Sequence, residues 1–140
     1  MLFGRRRPDD DALPRSDRGL GSLDEYTFDL RPRADGTTIR LAASDPHQDL
    51  LAAALDAEKV ESAIMRRTAD EERTDAPMPV RLFVDGRVVG PVGQVPRGLE
   101  PAVTEALARL ESAGRKPRIP VEVVRVRGRL RVDLLIGRTR

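Results

Sequence analysis

Val80-Arg81-Leu82-Phe83-Val84-Asp85-Gly86-Arg87-Val88-Val89 carries the strongest local signal in the chain. Two β-branched runs are separated by two residues. Asp-Gly is a pair that accepts positive φ at both central positions of a type I′ turn, so the stretch predicts a tight β-hairpin. On its N-terminal side, residues 68–79 are polar and carry Pro77 and Pro79, which predicts a loop. On its C-terminal side, Pro91 and Pro96 predict that the strand breaks soon after Val89.

Nearer the N-terminus, residues 26–30 (YTFDL) alternate apolar and polar and predict a strand. Ala34-Asp35-Gly36 reads as a turn, and residues 37–42 predict a second strand. The period then changes. Asp45 can cap a helix, Pro46 suits its first position, and Gln48 stands where it can complete a capping box. Leu50, Leu51, Ala54 and Leu55 supply the apolar stripe, and residues 58–65 predict the next strand. Residues 101–113 predict an amphipathic helix, with Val103, Ala106, Leu107 and Leu110 on one face, a Glu105–Arg109 pair, and Gly114 as its stop. A last hairpin joins residues 119–126 to residues 130–136 through Gly128. Its apolar residues change face at Val124, which predicts a bulge.

The order is β-β-α-β-β-β-α-β-β. Strand pairs with isolated helices do not build a parallel βαβ sheet. The expected fold is α+β: small, mostly β, an OB-like or partly open β-barrel with two helices. Residues 1–22 carry few apolar side chains and mixed charge, and predict a disordered arm, leaving 23–140 as the domain.

At 140 residues the chain has room for one modest core, and 34% charged residues predict a heavily charged surface. No apolar run approaches membrane-spanning length, and the basic N-terminus leads into Asp9-Asp10-Asp11 rather than an apolar stretch. A soluble, cytoplasmic protein is expected. The absence of cysteine removes disulfides, thiolate nucleophiles and cysteine-based metal sites, and one histidine, His47, cannot build a multi-histidine centre. The acidic runs 9–11 and 70–72 lie in an expected tail and loop and read as solvated charge. The chain is therefore expected to be no enzyme and to need no metal or other cofactor.

Charge is uneven. Residues 115–140 hold nine Lys and Arg against Glu122 and Asp133, a net of +7 in a chain whose total is +2. Arg125, Arg127, Arg129 and Arg131 alternate with apolar residues in the last hairpin, so much of the set should project from one face. Two readings stand level. One is a track for a phosphate backbone; the other is an ordinary charged outer face with gatekeepers on an edge strand. Arginine usage of this kind is also what a GC-rich genome encodes. With no tryptophan and only Phe3, Tyr26, Phe28 and Phe83 as aromatics, stacking platforms for bases are scarce.

From residue 38 onward the signals resemble the HIRAN domain family. Ile39 through Leu51 resembles the family's first strand running through G-E-S-aromatic-aromatic-Q into its helix. Thr74-Asp75-Ala76-Pro77 stands where the family has N-P-Y-D-P-N, Val80 through Gly90 resembles its A-V-x-V-x-V-D-G-x-x-V-G hairpin, and Leu99 through Gly114 its Y-x-P helix. The resemblance implies a stand-alone bacterial member with an OB-like barrel that holds the 3′ end of single-stranded DNA. It places Asp75 at the 3′-hydroxyl and His47 where an aromatic stacks. Read from its own neighbourhood, His47 is a surface residue of a first helical turn. Thr74, Pro91 and Leu99 stand where the family has aromatics. The expected function is thus a DNA-binding module using His47, Asp75, Arg125, Arg127, Arg129 and Arg131. The alternative is a protein-interaction module of the same fold that has lost DNA binding.

Overall fold

The computed structural model describes residues 13–140. The central hairpin forms as expected: β3 (Pro79–Val84) and β4 (Arg87–Gln94) pair antiparallel, with Val84 opposite Arg87. Asp85 and Gly86 take φ of +48° and +86°, the type I′ requirement. β4 does not end at Pro91. Val80 pairs with Gly93 and Leu82 with Val89, so two extra residues bulge out of β4. Pro91 has no N–H to give a ladder, and the irregularity removes that demand. β2 (Val60–Ala63) completes this sheet on β3, giving the order β2-β3-β4.

The second sheet has the order β1-β6-β5. β5 (Val121–Val126) and β6 (Arg129–Leu134) form the last hairpin, turned by Arg127 and Gly128 at φ +51° and +80°. β1 (Ile39–Arg40) lies along β6. The bulge expected near Val124 is absent, since the register runs unbroken from Val121 opposite Leu134 to Val126 opposite Arg129. The apolar pattern changes face for another reason. Val121 and Val123 pack on the core, whereas Val124 and Val126 stand opposite Arg131 and Arg129 on the outer face.

Two single bridges seam the sheets. Ala42 and Gln94 exchange backbone hydrogen bonds of 2.8 and 2.9 Å, joining the end of β1 to β4, and Glu61 bridges Pro120, joining β2 to β5. The architecture is mixed α+β, two three-stranded antiparallel sheets touching at both edges rather than one continuous barrel.

α1 (Gln48–Leu55) follows a 3-10 turn at Asp45–His47 and turns Leu51 and Ala54 into the core. The capping box expected of Asp45 and Gln48 does not form. The Gln48 amide donates to Ser44 O and Leu130 O at 3.1 Å and accepts from Leu130 N at 2.9 Å, tying α1 to β6. A short helix, α2 (Ala69–Arg73), stands in the segment expected as a loop, capped reciprocally by Thr68 and Glu71. α3 (Glu100–Ser112) buries Ala102, Val103, Ala106, Leu107 and Leu110 along one stripe. Together with Ile39, Leu41, Met78, Leu82, Ile119, Leu134 and Ile136, all at or near zero exposure, these residues make a single core. Among the described residues no helix is long and apolar enough to cross a membrane.

Two further local expectations fail. Residues 26–30 are not a strand: Thr27 N donates to Arg31 O, Leu30 N to Thr27 O, and Leu30 turns to φ +64°. The Thr27 hydroxyl bonds Asp29 and accepts from Arg31 N, so a local side chain takes bonds a ladder would have needed. Part of the expected arm is also built into the fold. Residues 1–12 lie outside the described residues, but Leu20 and Arg40 exchange backbone hydrogen bonds and Asp17 is 1% exposed. What holds this segment is polar, which an apolar count does not register.

Candidate nucleic-acid interface

The last hairpin divides its arginines. Residues directly opposite in an antiparallel ladder share a face. Arg129 stands opposite Val126 and Arg131 opposite Val124 on the outer face, while Arg125 stands opposite the buried Leu130 and so belongs to the other. Arg127 is in the turn itself. The one-sided arginine row expected from the sequence is therefore a pair plus a tip residue.

On that outer face a cleft of about 430 Å³ runs between the hairpin tip and the N-terminal segment. Its cations are Arg15, Arg40, Arg127, Arg129 and Arg131, with Gly19, Leu20 and Val126 between them. Two of the five are already neutralised. Arg40 makes a two-pronged bond to Asp133, at 2.9 and 3.1 Å. Arg131 is 3% exposed and lies 2.7 Å from Asp17 Oδ1 and 2.8 Å from Asp45 Oδ1. Asp17 also accepts from the backbone N–H groups of Ser44 and Asp45, at 2.7 and 2.9 Å. Arg131 thus locks the N-terminal segment to the sheet rather than waiting for a ligand. Arg15, Arg127 and Arg129 are exposed, and no acid among the described residues pairs with them.

Neither His47 nor Asp75 lines this cleft. His47 is half-buried at the end of its 3-10 turn, which packs on β4. Asp75 holds a left-handed backbone, φ +52°, after α2. Its carboxylate lies 3.2 Å from Arg67 and 3.1 Å from Arg97, and its carbonyl accepts from Arg97 as well. Arg97 is 4% exposed and also pairs with Glu100 at 3.5 Å, so Asp75 fastens the loop after α2 to the start of α3.

The aromatics among the described residues are all elsewhere. Tyr26 is buried, Phe28 is on the turn at residues 27–31, and Phe83 is covered by Arg118, whose guanidinium carbon sits 3.8 Å from the ring centre. Among the described residues no ring lines the cleft. No group of three or more His, Asp or Glu among them is arranged to hold a metal ion. Sequence reasoning missed Arg15 because its segment read as arm. It missed Arg40 because a short β1 gave no register to β6.

Compared with known protein families, with curated proteins and with solved structures, the chain matches none of them.

Proposed function

We propose that the chain is a non-catalytic binding module that holds single-stranded nucleic acid by its phosphates, in the cleft between the Arg127–Arg129 hairpin tip and Arg15. The observation that carries this reading is three exposed arginines, from two distant parts of the chain, converging on one cleft without a described acidic partner. Guanidinium groups suit phosphate oxygens, and a row of them confers affinity without base readout. The order of strand, hairpin and helix signals, which resembles the HIRAN family, supports the same class. With no ring in the cleft among the described residues, the grip is electrostatic. A dissociation constant of about 10⁻⁴–10⁻⁶ M with steep salt dependence is expected.

The test is fluorescence anisotropy of a short labelled single strand, with free and blocked 3′ ends, across a salt series. Binding should be indifferent to the 3′ end. In Arg127→Ala/Arg129→Ala the log–log salt slope should shrink by about 0.7 for each phosphate that is no longer neutralised. An unchanged slope and affinity in that variant would sink the reading.

A protein-interaction module of the same fold is the second reading, and one observation favours it. Phe28 is fully exposed on a turn pinned by backbone and Thr27 hydrogen bonds. A rigidly presented aromatic is the kind of residue that anchors protein interfaces. Loss of a pull-down partner on Phe28→Ser, with no strand binding by the parent, would favour it.

A further inference from the structure

A second arginine cluster lies at the far end of α3, in a cleft of about 500 Å³ that no motif in the sequence announces. Arg31 comes from the turn at residues 27–31, Arg109 from α3, Arg115 from just beyond it, and Arg140 from the segment after β6. Ser112 and Glu105 also line it. The Glu105–Arg109 pair expected from helical spacing does not form. Arg109 instead donates to Thr139 O at 3.3 Å, Thr139 Oγ1 at 3.1 Å and Leu30 O at 3.4 Å. Three of its five N–H donors are thus spent on neutral oxygens, which fix the guanidinium plane without cancelling its charge. Burial, and then the neighbouring Arg31, push the Arg109 guanidinium below its ordinary pKa, as expected for a cation held beside another cation.

Cations near a helix C-terminus often do no more than complement its dipole. That account is insufficient here. Three of the last four carbonyls of α3 are already taken, by Ala113 N on Arg109 O, Gly114 N on Glu111 O and Arg115 N on Leu110 O, at 2.8–3.0 Å. Arg31 and Arg140 also arrive from other elements. Arg140 is paired with Asp35 at 2.8 Å. Arg31, Arg109 and Arg115 against Glu105 and the neighbouring Asp29 leave the cleft with a net positive charge.

We infer that the cleft between Arg31, Arg109 and Arg115 is a binding site for a phosphomonoester-type dianion, separate from the hairpin-tip cleft. The fixed Arg109 fork supplies orientation, and the exposed Arg31 and Arg115 close over the remaining oxygens with the Ser112 hydroxyl in reach of the rim. The net positive charge favours an anion, and three forked guanidinium groups suit the several oxygens of a phosphomonoester better than the two of a carboxylate.

Inorganic phosphate is the probe, titrated into the full chain while arginine Nε–Hε resonances are followed by NMR, with acetate as a monoanion control and phenyl phosphate as the ester arm. The expected result is saturable shifts at Arg31 and Arg109 with phosphate and phenyl phosphate, and none that saturate with acetate. Arg31→Ala and Arg115→Ala are exposed substitutions that leave the fold intact. Each should weaken phosphate roughly tenfold, the cost of one charge-assisted hydrogen bond. Arg127→Ala/Arg129→Ala should leave phosphate affinity unchanged. Absence of saturable binding, equal affinity in Arg31→Ala, or weakening only in the hairpin-tip variant would each overturn the inference. None of these depends on whether the chain binds a single strand.

Discussion

Arg131 Nη1 lies 2.7 Å from Asp17 Oδ1, and the two side chains are 3% and 1% exposed, although they stand 114 residues apart. This buried pair fixes the N-terminal segment against the outer face of β6, with Asp45 as a second carboxylate at 2.8 Å. Removing one partner strands the other as an uncompensated buried charge. Arg131→Ala should therefore cost about 3–5 kcal/mol in chemical denaturation, whereas Arg129→Ala, two residues away and exposed, should stay within about 0.5 kcal/mol. Equal costs for the two would mean that the pair is not the anchor of that segment.

Asp75 is expected to matter for stability more than for any strand end. Its carboxylate is 46% exposed but faces the buried Arg97 and the mostly buried Arg67. Asp75→Asn keeps a residue that tolerates the left-handed backbone and removes only the charge. It should cost about 1–2 kcal/mol, discounted because the group is half exposed and Glu100 remains beside Arg97. Single-strand affinity should be the same in the variant for free and blocked 3′ ends. A selective decrease for the free end would place Asp75 at the terminal hydroxyl, as the HIRAN resemblance implies.

The elements legible in the sequence were those whose signal is local. Asp85-Gly86 specifies its own turn, and the Val103, Ala106, Leu107, Leu110 stripe specifies its own helix face. The strand expected at residues 26–30 failed because alternation there competes with a Thr27 side chain that bonds the backbone nearby. Thr68 and Glu71 have the spacing of a capping box, but Pro77 and Pro79 close by argue for a loop. The clefts were least legible. Arg131 and Arg129 are indistinguishable by spacing, and only Asp17, far away in sequence, makes one a structural ion and leaves the other exposed. Arg31 and Arg109 carry no motif, and they come together through long-range bonds of Arg109 to Leu30 O, next to Arg31, and to Thr139 in the C-terminal 3-10 turn, Ile136–Thr139.

The seam between the sheets makes Gly93 sensitive to one methyl group. A Cβ there would stand 2.7 Å from Ala42 O and 2.8 Å from Ser44 Oγ, both closer than real Cβ atoms approach. The first of these is backbone held by the Ala42–Gln94 bridge, so it cannot yield without opening the seam. Gly93→Ala should lose about 1–3 kcal/mol, the usual range for overpacking. Amide exchange should accelerate first at Ala42 and Gln94. In contrast, Gly98→Ala meets no neighbouring atom and loses only the ease of a positive φ, so exchange at the seam should be unaffected.

Tyr26 is the single tyrosine in a chain without tryptophan, so its ionisation can be read alone from phenolate absorbance. Burial, and then Glu25, push its hydroxyl up to about 12 from an ordinary value of 10.0. A raised pKa means that the folded state binds the proton more tightly than the unfolded chain does. The associated stability is complete below pH 10 and is lost as pH rises from there toward 12. Absorbance should therefore show little phenolate at pH 10, and the phenolate should appear together with unfolding at higher pH. Among the described residues Tyr26 Oη has no hydrogen-bond partner. Tyr26→Phe deletes a buried polar atom while keeping the ring, so it should be neutral or stabilising by up to about 1 kcal/mol, with the alkaline transition moved upward. A phenolate that titrates near 10 in the folded protein, or a Tyr26→Phe variant clearly less stable than the parent, would show that the hydroxyl is solvated or bonded after all.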